Sequence, residues 1–86
     1  MQRYESLEWF KGQMEQKLRE NEHKGGWEHE PYGRLHYLLQ GEIDELTDEI
    51  FAWPPNYNAI IMEAADVANF AMMIADNARR ARDAAK

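Results

Sequence analysis

Between Glu42 and Asp66 the chain places two pairs of carboxylates, Glu42/Glu45 and Glu63/Asp66, on either side of a Trp53-Pro54-Pro55 break. Within each pair the spacing is i,i+3, and at about 100° per residue two positions three apart lie on the same face of a helix. Glu49, seven residues beyond Glu42, returns to nearly the same direction. Carboxylates brought together in a helical protein must be solvated, protonated or neutralised by a cation, because unpaired charge in a low dielectric is costly. A hard divalent ion held by oxygen ligands is the natural neutraliser.

The flanking residues decide which way these acids face. Apolar side chains at Leu7, Phe10, Met14 and Leu18 mark an amphipathic helix over residues 1 to about 23, with Glu8, Lys11, Glu15, Arg19 and Glu22 on its polar side. Gly25-Gly26 ends it, since adjacent glycines are costly in a helix and suit a left-handed cap. Pro31 suits the first turn of a second helix that runs to about Phe51, with Leu35, Leu38, Leu39, Ile43, Leu46 and Ile50 as its apolar stripe. Glu42, Glu45 and Glu49 lie on the margin of that stripe, whereas Asp44, Thr47 and Asp48 point to solvent. Gly41 costs this helix about 1 kcal/mol relative to alanine, which predicts close approach of a neighbouring helix or a ligand beside Glu42.

Two prolines cannot continue a helix, and Asn56 or Asn58 is a good N-cap for a third, running from about Asn58 to Arg82 or beyond. So short a connection makes helices two and three antiparallel neighbours and sets the two carboxylate pairs on facing helices. In the third helix Ile60, Asp66, Val67, Phe70, Met73, Ile74 and Asn77 share the face of Glu63, so its acids are embedded in an apolar stripe. Ala64, Ala68, Ala71, Ala75 and Ala78 run beside it as a face that lets another helix pack closely. Arg79-Arg80-Ala81-Arg82 complements the negative end of the helix dipole. The expected fold is all-α. A single domain of antiparallel helices spans 1-86, completing a four-helix-bundle core by homo-oligomerisation as a homodimer or homotetramer, because one small bundle would leave too much apolar surface exposed.

With 86 residues, no cysteine and a net charge of -6, the chain has no disulfide, zinc-thiolate site or cysteine nucleophile. The charge argues against nucleic acid as a partner, since that binding depends on cationic contacts to phosphate. The apolar runs fall short of the roughly 20 residues of a membrane span, and the first residues lack the apolar core of a signal peptide. No membrane partner and a cytoplasmic location are therefore expected.

Glu42-Ile43-Asp44-Glu45, a connection, then Glu63-Ala64-Ala65-Asp66 resembles the signature of the MazG-like all-alpha nucleotide pyrophosphohydrolases. Leu38-Leu39-Gln40-Gly41 before the first motif and Val67-Ala68-Asn69-Phe70 after the second are similar in context, and the resemblance covers about residues 24 to 80. It implies magnesium-dependent hydrolysis of a nucleoside triphosphate to the monophosphate and pyrophosphate, with manganese as a substitute ion. By the same resemblance Glu42, Glu45, Glu63 and Asp66 are metal ligands and Glu45 or Glu49 is the general base. Lys24 and Arg79 are then candidates for phosphate contact, Trp27 for stacking on a base, and Asn77 for a hydrogen bond to ribose or phosphate. Some members carry a further Glu directly after the first; Ile43 stands there, so no base is available at that position. The implied role is house-cleaning of the nucleotide pool.

Two other readings compete. Acidic i,i+3 pairs arise readily in a chain with 16 acidic residues, so a non-catalytic acidic helical oligomerisation or interaction module, its acids solvated or bridged to Arg79, Arg80 and Arg82, accounts for the same pattern. A di-iron carboxylate bundle wants two Glu-x-x-His motifs. Only Glu20-Asn21-Glu22-His23 has that spacing, and His29 and His36 read as surface or packing residues.

Overall fold

The computed structural model describes residues 3–85. They form three α-helices, α1 (Arg3–Glu20), α2 (Tyr32–Phe51) and α3 (Tyr57–Ala84), with a turn of 3-10 helix at Glu22–Lys24 after α1. No strand occurs among the described residues, as the all-α reading requires. Each boundary has a local cause. At the end of α1 the Asn21 side-chain amide donates to the Lys17 carbonyl at 2.9 Å. The 3-10 turn closes through the Gly25 N–H on the Glu22 carbonyl at 3.1 Å, with Gly25 at φ 89, a conformation that disfavours a side chain. Extended Pro31 precedes α2. Of the two asparagines able to cap α3, Asn56 does so, its Oδ1 accepting from the Ala59 N–H at 3.1 Å.

α3 is the spine. It packs along α2, to which the short 52–56 link joins it as an antiparallel neighbour, and less extensively along α1; α1 and α2 do not pack on each other. The core is accordingly thin, with Leu35 and Ala65 the only apolar residues fully buried among those described. Large apolar side chains remain in solvent at Leu7, Tyr37, Ile50, Phe51, Tyr57 and Trp53, the last 89% exposed. The radius of gyration is 14.5 Å, against the ~12 Å of a compact chain of this length. The chain exposes 6629 Å², roughly 1,300 Å² more than a monomer of its mass presents on average. Ala71, Ala75 and Ala78 contribute to that surface, and no element of the chain covers them.

Two expectations need correction. A Cβ at Gly41 would meet nothing within 4 Å, so no close approach inside this chain explains the glycine. By length and composition, α3 is also long and apolar enough to cross a membrane, which the inspection of uninterrupted apolar runs overlooked. Mostly buried core helices pass the same test, whereas 11% of the apolar window of α3 is buried, and α3 carries Glu63, Asp66 and Asp76 along its length.

Candidate functional site

A cavity of about 650 Å³ is lined jointly by α1, the 24–30 connection, α2 and α3. The Glu42 and Glu45 side chains reach it from α2, Glu63 and Asp66 from α3, and Lys17 from α1, while the 24–30 connection walls it with Lys24 and Trp27. One carboxylate oxygen from each of Glu42, Glu45 and Glu63 lies within 4.8 Å of the others. The facing of α2 and α3 produces this convergence, because each helix presents its i,i+3 acids at the edge of its apolar stripe. Asp44, Thr47 and Asp48 are exposed, as the helical phase demands.

The trio is short of partners. Glu42 Oε2 and Glu63 Oε2 are both buried and receive no hydrogen bond. Burial raises the Glu42 carboxyl to about 7, helped by a shared hydrogen bond with Glu45 and by the charges of Asp66, Glu45 and Glu63. Glu63 is raised by burial and then by Glu45, with Lys17 pulling the other way. Asp66 is also raised by burial, although its ion pair with Lys17, Nζ to Oδ2 at 3.5 Å, opposes the shift. Burial lowers the Lys17 ammonium, but Asp66 and Glu20 outweigh it and hold it above its ordinary value. Lys17 therefore stabilises its pair without fully offsetting the cost of burying Asp66.

Asn69 forms part of the floor. It is buried, its amide donates to the Met14 carbonyl at 3.0 Å, and its own Oδ1 is unpartnered. An all-oxygen donor set with two starved, buried carboxylate oxygens fits a hard divalent cation such as Mg2+ or Mn2+ better than a soft one. Of the four acids expected to bind a metal, the oxygens of Glu42, Glu45 and Glu63 come together, whereas Asp66 lines the same cavity outside that cluster and is paired with Lys17.

Two of the residues singled out for substrate lie elsewhere. Asn77 is 9% exposed and does not line the cavity; its amide donates to the carbonyls of Trp27 at 2.9 Å and Glu30 at 3.3 Å, fastening the connection to α3. Arg79 pairs with Asp76 outside the cavity. Asp76 also accepts from the Trp27 indole N–H at 3.0 Å and from Arg80. Hydrogen bonds from Arg79, Trp27 and Arg80 hold its carboxyl down at about 2. Arg80 reaches Glu28 at 3.8 Å and Arg82 pairs with Asp83, so the C-terminal arginines bridge to acids outside the cluster. Glu49 does not line the cavity.

Sequence reasoning passed over Lys17, Arg34 and Asn69, all of which line the cavity. For Lys17 a signal was present: three residues after Met14 and seven after Phe10, it belongs to the apolar margin of α1 and not to its polar face. Comparison with family models, curated proteins and solved structures finds no match for this chain.

Proposed function

We propose that the chain is a metal-dependent nucleoside triphosphate pyrophosphohydrolase of the MazG-like kind, cleaving a (d)NTP to (d)NMP and pyrophosphate. The observation that carries the reading is the convergence of Glu42, Glu45 and Glu63 with two buried, unpartnered carboxylate oxygens, at a cavity also lined by cationic side chains. A purely solvated acidic face has no reason to bury oxygens without partners. Mg2+ or Mn2+, held by Glu42, Glu45, Glu63 and Asp66, would supply charge neutralisation for the leaving pyrophosphate and a lowered pKa for the attacking water.

The protein's own groups divide the remaining work. Glu45 is the exposed member of the trio and so the one least engaged by a bound ion; in this reading it accepts a proton from water at its carboxylate, and we assign it the role of base in preference to Glu49. Lys24 and Arg34 offer positive charge to a polyphosphate, and the Trp27 indole, fixed by Asp76, offers a flat surface to a base. House-cleaning of the nucleotide pool in the cytoplasm is the role proposed for such an activity.

A second copy completes the bundle in this reading, covering the uncovered alanines of α3 and the exposed apolar side chains. The excess surface of roughly 1,300 Å² exceeds the ~800 Å² that one partner contributes to a standard interface. The same surface favours the alternative of a non-catalytic interaction module, so the test must read chemistry. Purified protein with Mg2+ should release pyrophosphate from at least one member of a panel of common and modified nucleoside triphosphates. No turnover with Mg2+ or Mn2+ across the panel, from a protein whose melting point is also indifferent to both ions, would leave the interaction module standing.

A further inference from the structure

Lys17 differs from the other cationic side chains around the cavity in touching the acids themselves. It belongs to α1, whereas the acids belong to α2 and α3. Its ammonium lies between an inner carboxylate, Asp66 at 3.5 Å, and an outer one, Glu20 at 3.4 Å. Its side chain is 20% exposed and that of Asp66 is 17%, while Glu20 is half in solvent. A flexible four-carbon stem thus carries a point charge between the interior of the site and its rim.

The placement creates a conflict. Asp66 lines the cavity beside the Glu42, Glu45 and Glu63 cluster, and an ion that takes it as a further ligand at about 2.1 Å would stand within a few ångströms of the ammonium. Two cations at that separation repel strongly where the surroundings are partly desolvated. Lys17 makes no ion pair with the trio, on which it acts only at longer range through Glu63, and displaced from Asp66 it keeps Glu20 alone, at the rim. An anionic ligand entering the cavity that Lys17 also lines offers it a further partner.

We propose that Lys17 is a tethered cation of the acidic site, which occupies Asp66 when no divalent ion is bound and transfers to the phosphate of the ligand when one is. Metal and substrate are thereby coupled: the ion loosens Lys17 from Asp66, and the phosphate receives it. A protein without nucleotide holds its metal less tightly than its four carboxylates alone would. The inference rests on the metal-site reading above and adds to it a residue that the acidic motifs do not contain.

The test is binding and needs no turnover. Mn2+ is titrated by electron paramagnetic resonance into the native protein, Lys17→Met and Lys17→Arg, and inorganic pyrophosphate is then titrated calorimetrically into each Mn2+-loaded protein. Lys17→Met should bind Mn2+ roughly tenfold more tightly, the scale expected when one charge is removed beside a bound ion, and pyrophosphate roughly tenfold more weakly; Lys17→Arg should stay near native on both. Lys17→Gln repeats the measurement should the methionine variant not fold. Unchanged or weakened Mn2+ binding in the neutral variants overturns the proposal while leaving the metal site in place, and so does unchanged pyrophosphate binding. Absence of saturable Mn2+ binding in the native protein overturns both the proposal and the reading beneath it.

Discussion

Asp66 and Asp76 stand ten residues apart on α3, and their surroundings are opposite. Asp76 is saturated, receiving hydrogen bonds from the Trp27 indole, Arg79 and Arg80, and its carboxyl is held down at about 2. Asp66 has Lys17 as its ion-pair partner and stands above its ordinary value, next to Glu42 and Glu63, which are raised as well. A carboxylate whose lone pairs are filled by the protein is a structural clasp; beside Asp66, Glu42 and Glu63 each keep a buried oxygen with no partner in the chain. The two stretches of α3 therefore differ: the one at Asp76 fastens the chain to itself, and the one at Glu63 and Asp66 faces the cavity where the proposed ligand would bind.

The largest effect expected at the starved end is on chemistry. Glu63→Gln should lower pyrophosphate release at least about a thousandfold, ~4 kcal/mol of transition-state stabilisation, while circular dichroism at pH 8 stays native. A variant retaining activity within tenfold would break the contrast between the two stretches of α3.

Next in size is a pH effect on the metal-free protein. Glu42 binds its proton more tightly folded than unfolded, so the stability linked to it is complete below about pH 4.5 and is lost as the pH rises to about 7. Allowing for partial solvent screening, Glu42 should cost on the order of 2 kcal/mol between pH 5 and 8, a fall in Tm of roughly 10 °C, and Glu63 and Asp66 act in the same direction. Saturating Mn2+ should remove the slope, and Glu42→Gln should flatten it without metal. Asp76 has the opposite sign, stabilising above its ordinary range and losing that contribution as the pH falls from 3.8 toward 2, which keeps it outside this window. Thermal melts across pH with and without Mn2+ read both.

Smaller is the effect at the clasp. Asn77→Ala removes the donor to the Trp27 and Glu30 carbonyls and should destabilise by about 1–2 kcal/mol, seen in denaturant melts, with faster amide exchange at 25–30 and Mn2+ affinity unchanged. Smallest of all is Glu49→Gln, which should keep kcat within about threefold, a range typical of substitutions that do not touch the reacting groups; a loss as large as that of Glu63→Gln would move the base from Glu45 to Glu49.

The helices were legible because their signals are local. The stripe from Leu35 to Ile50, the prolines at 54 and 55 and the Asn56 cap each act within a few residues, and the facing of Glu42/Glu45 with Glu63 follows from a short link between two helices. Lys17 was legible in part, through its distance from Phe10 and Met14, but which acid it meets depends on how α1 lies on α3. The Trp27–Asp76 bond joins residues 49 apart and leaves no periodic trace, so Asn77 and Arg79, which share α3 with the acids, looked like ligand contacts. Gly41 misled for a related reason: its cost is visible in sequence, whereas the space around it is not.

Because α1 meets α3 but not α2, the chain is divided in its folding as well as in its chemistry. The α2–α3 hairpin closes over a five-residue link and needs only nearby contacts, so it should assemble first, with α1 docking afterwards. In the finished protein α1 should detach at a lower free energy than global unfolding, its amides exchanging through a separate opening. Each such opening withdraws Lys17 from Asp66, so the stability of one peripheral helix sets the fraction of molecules in which that ion pair is broken.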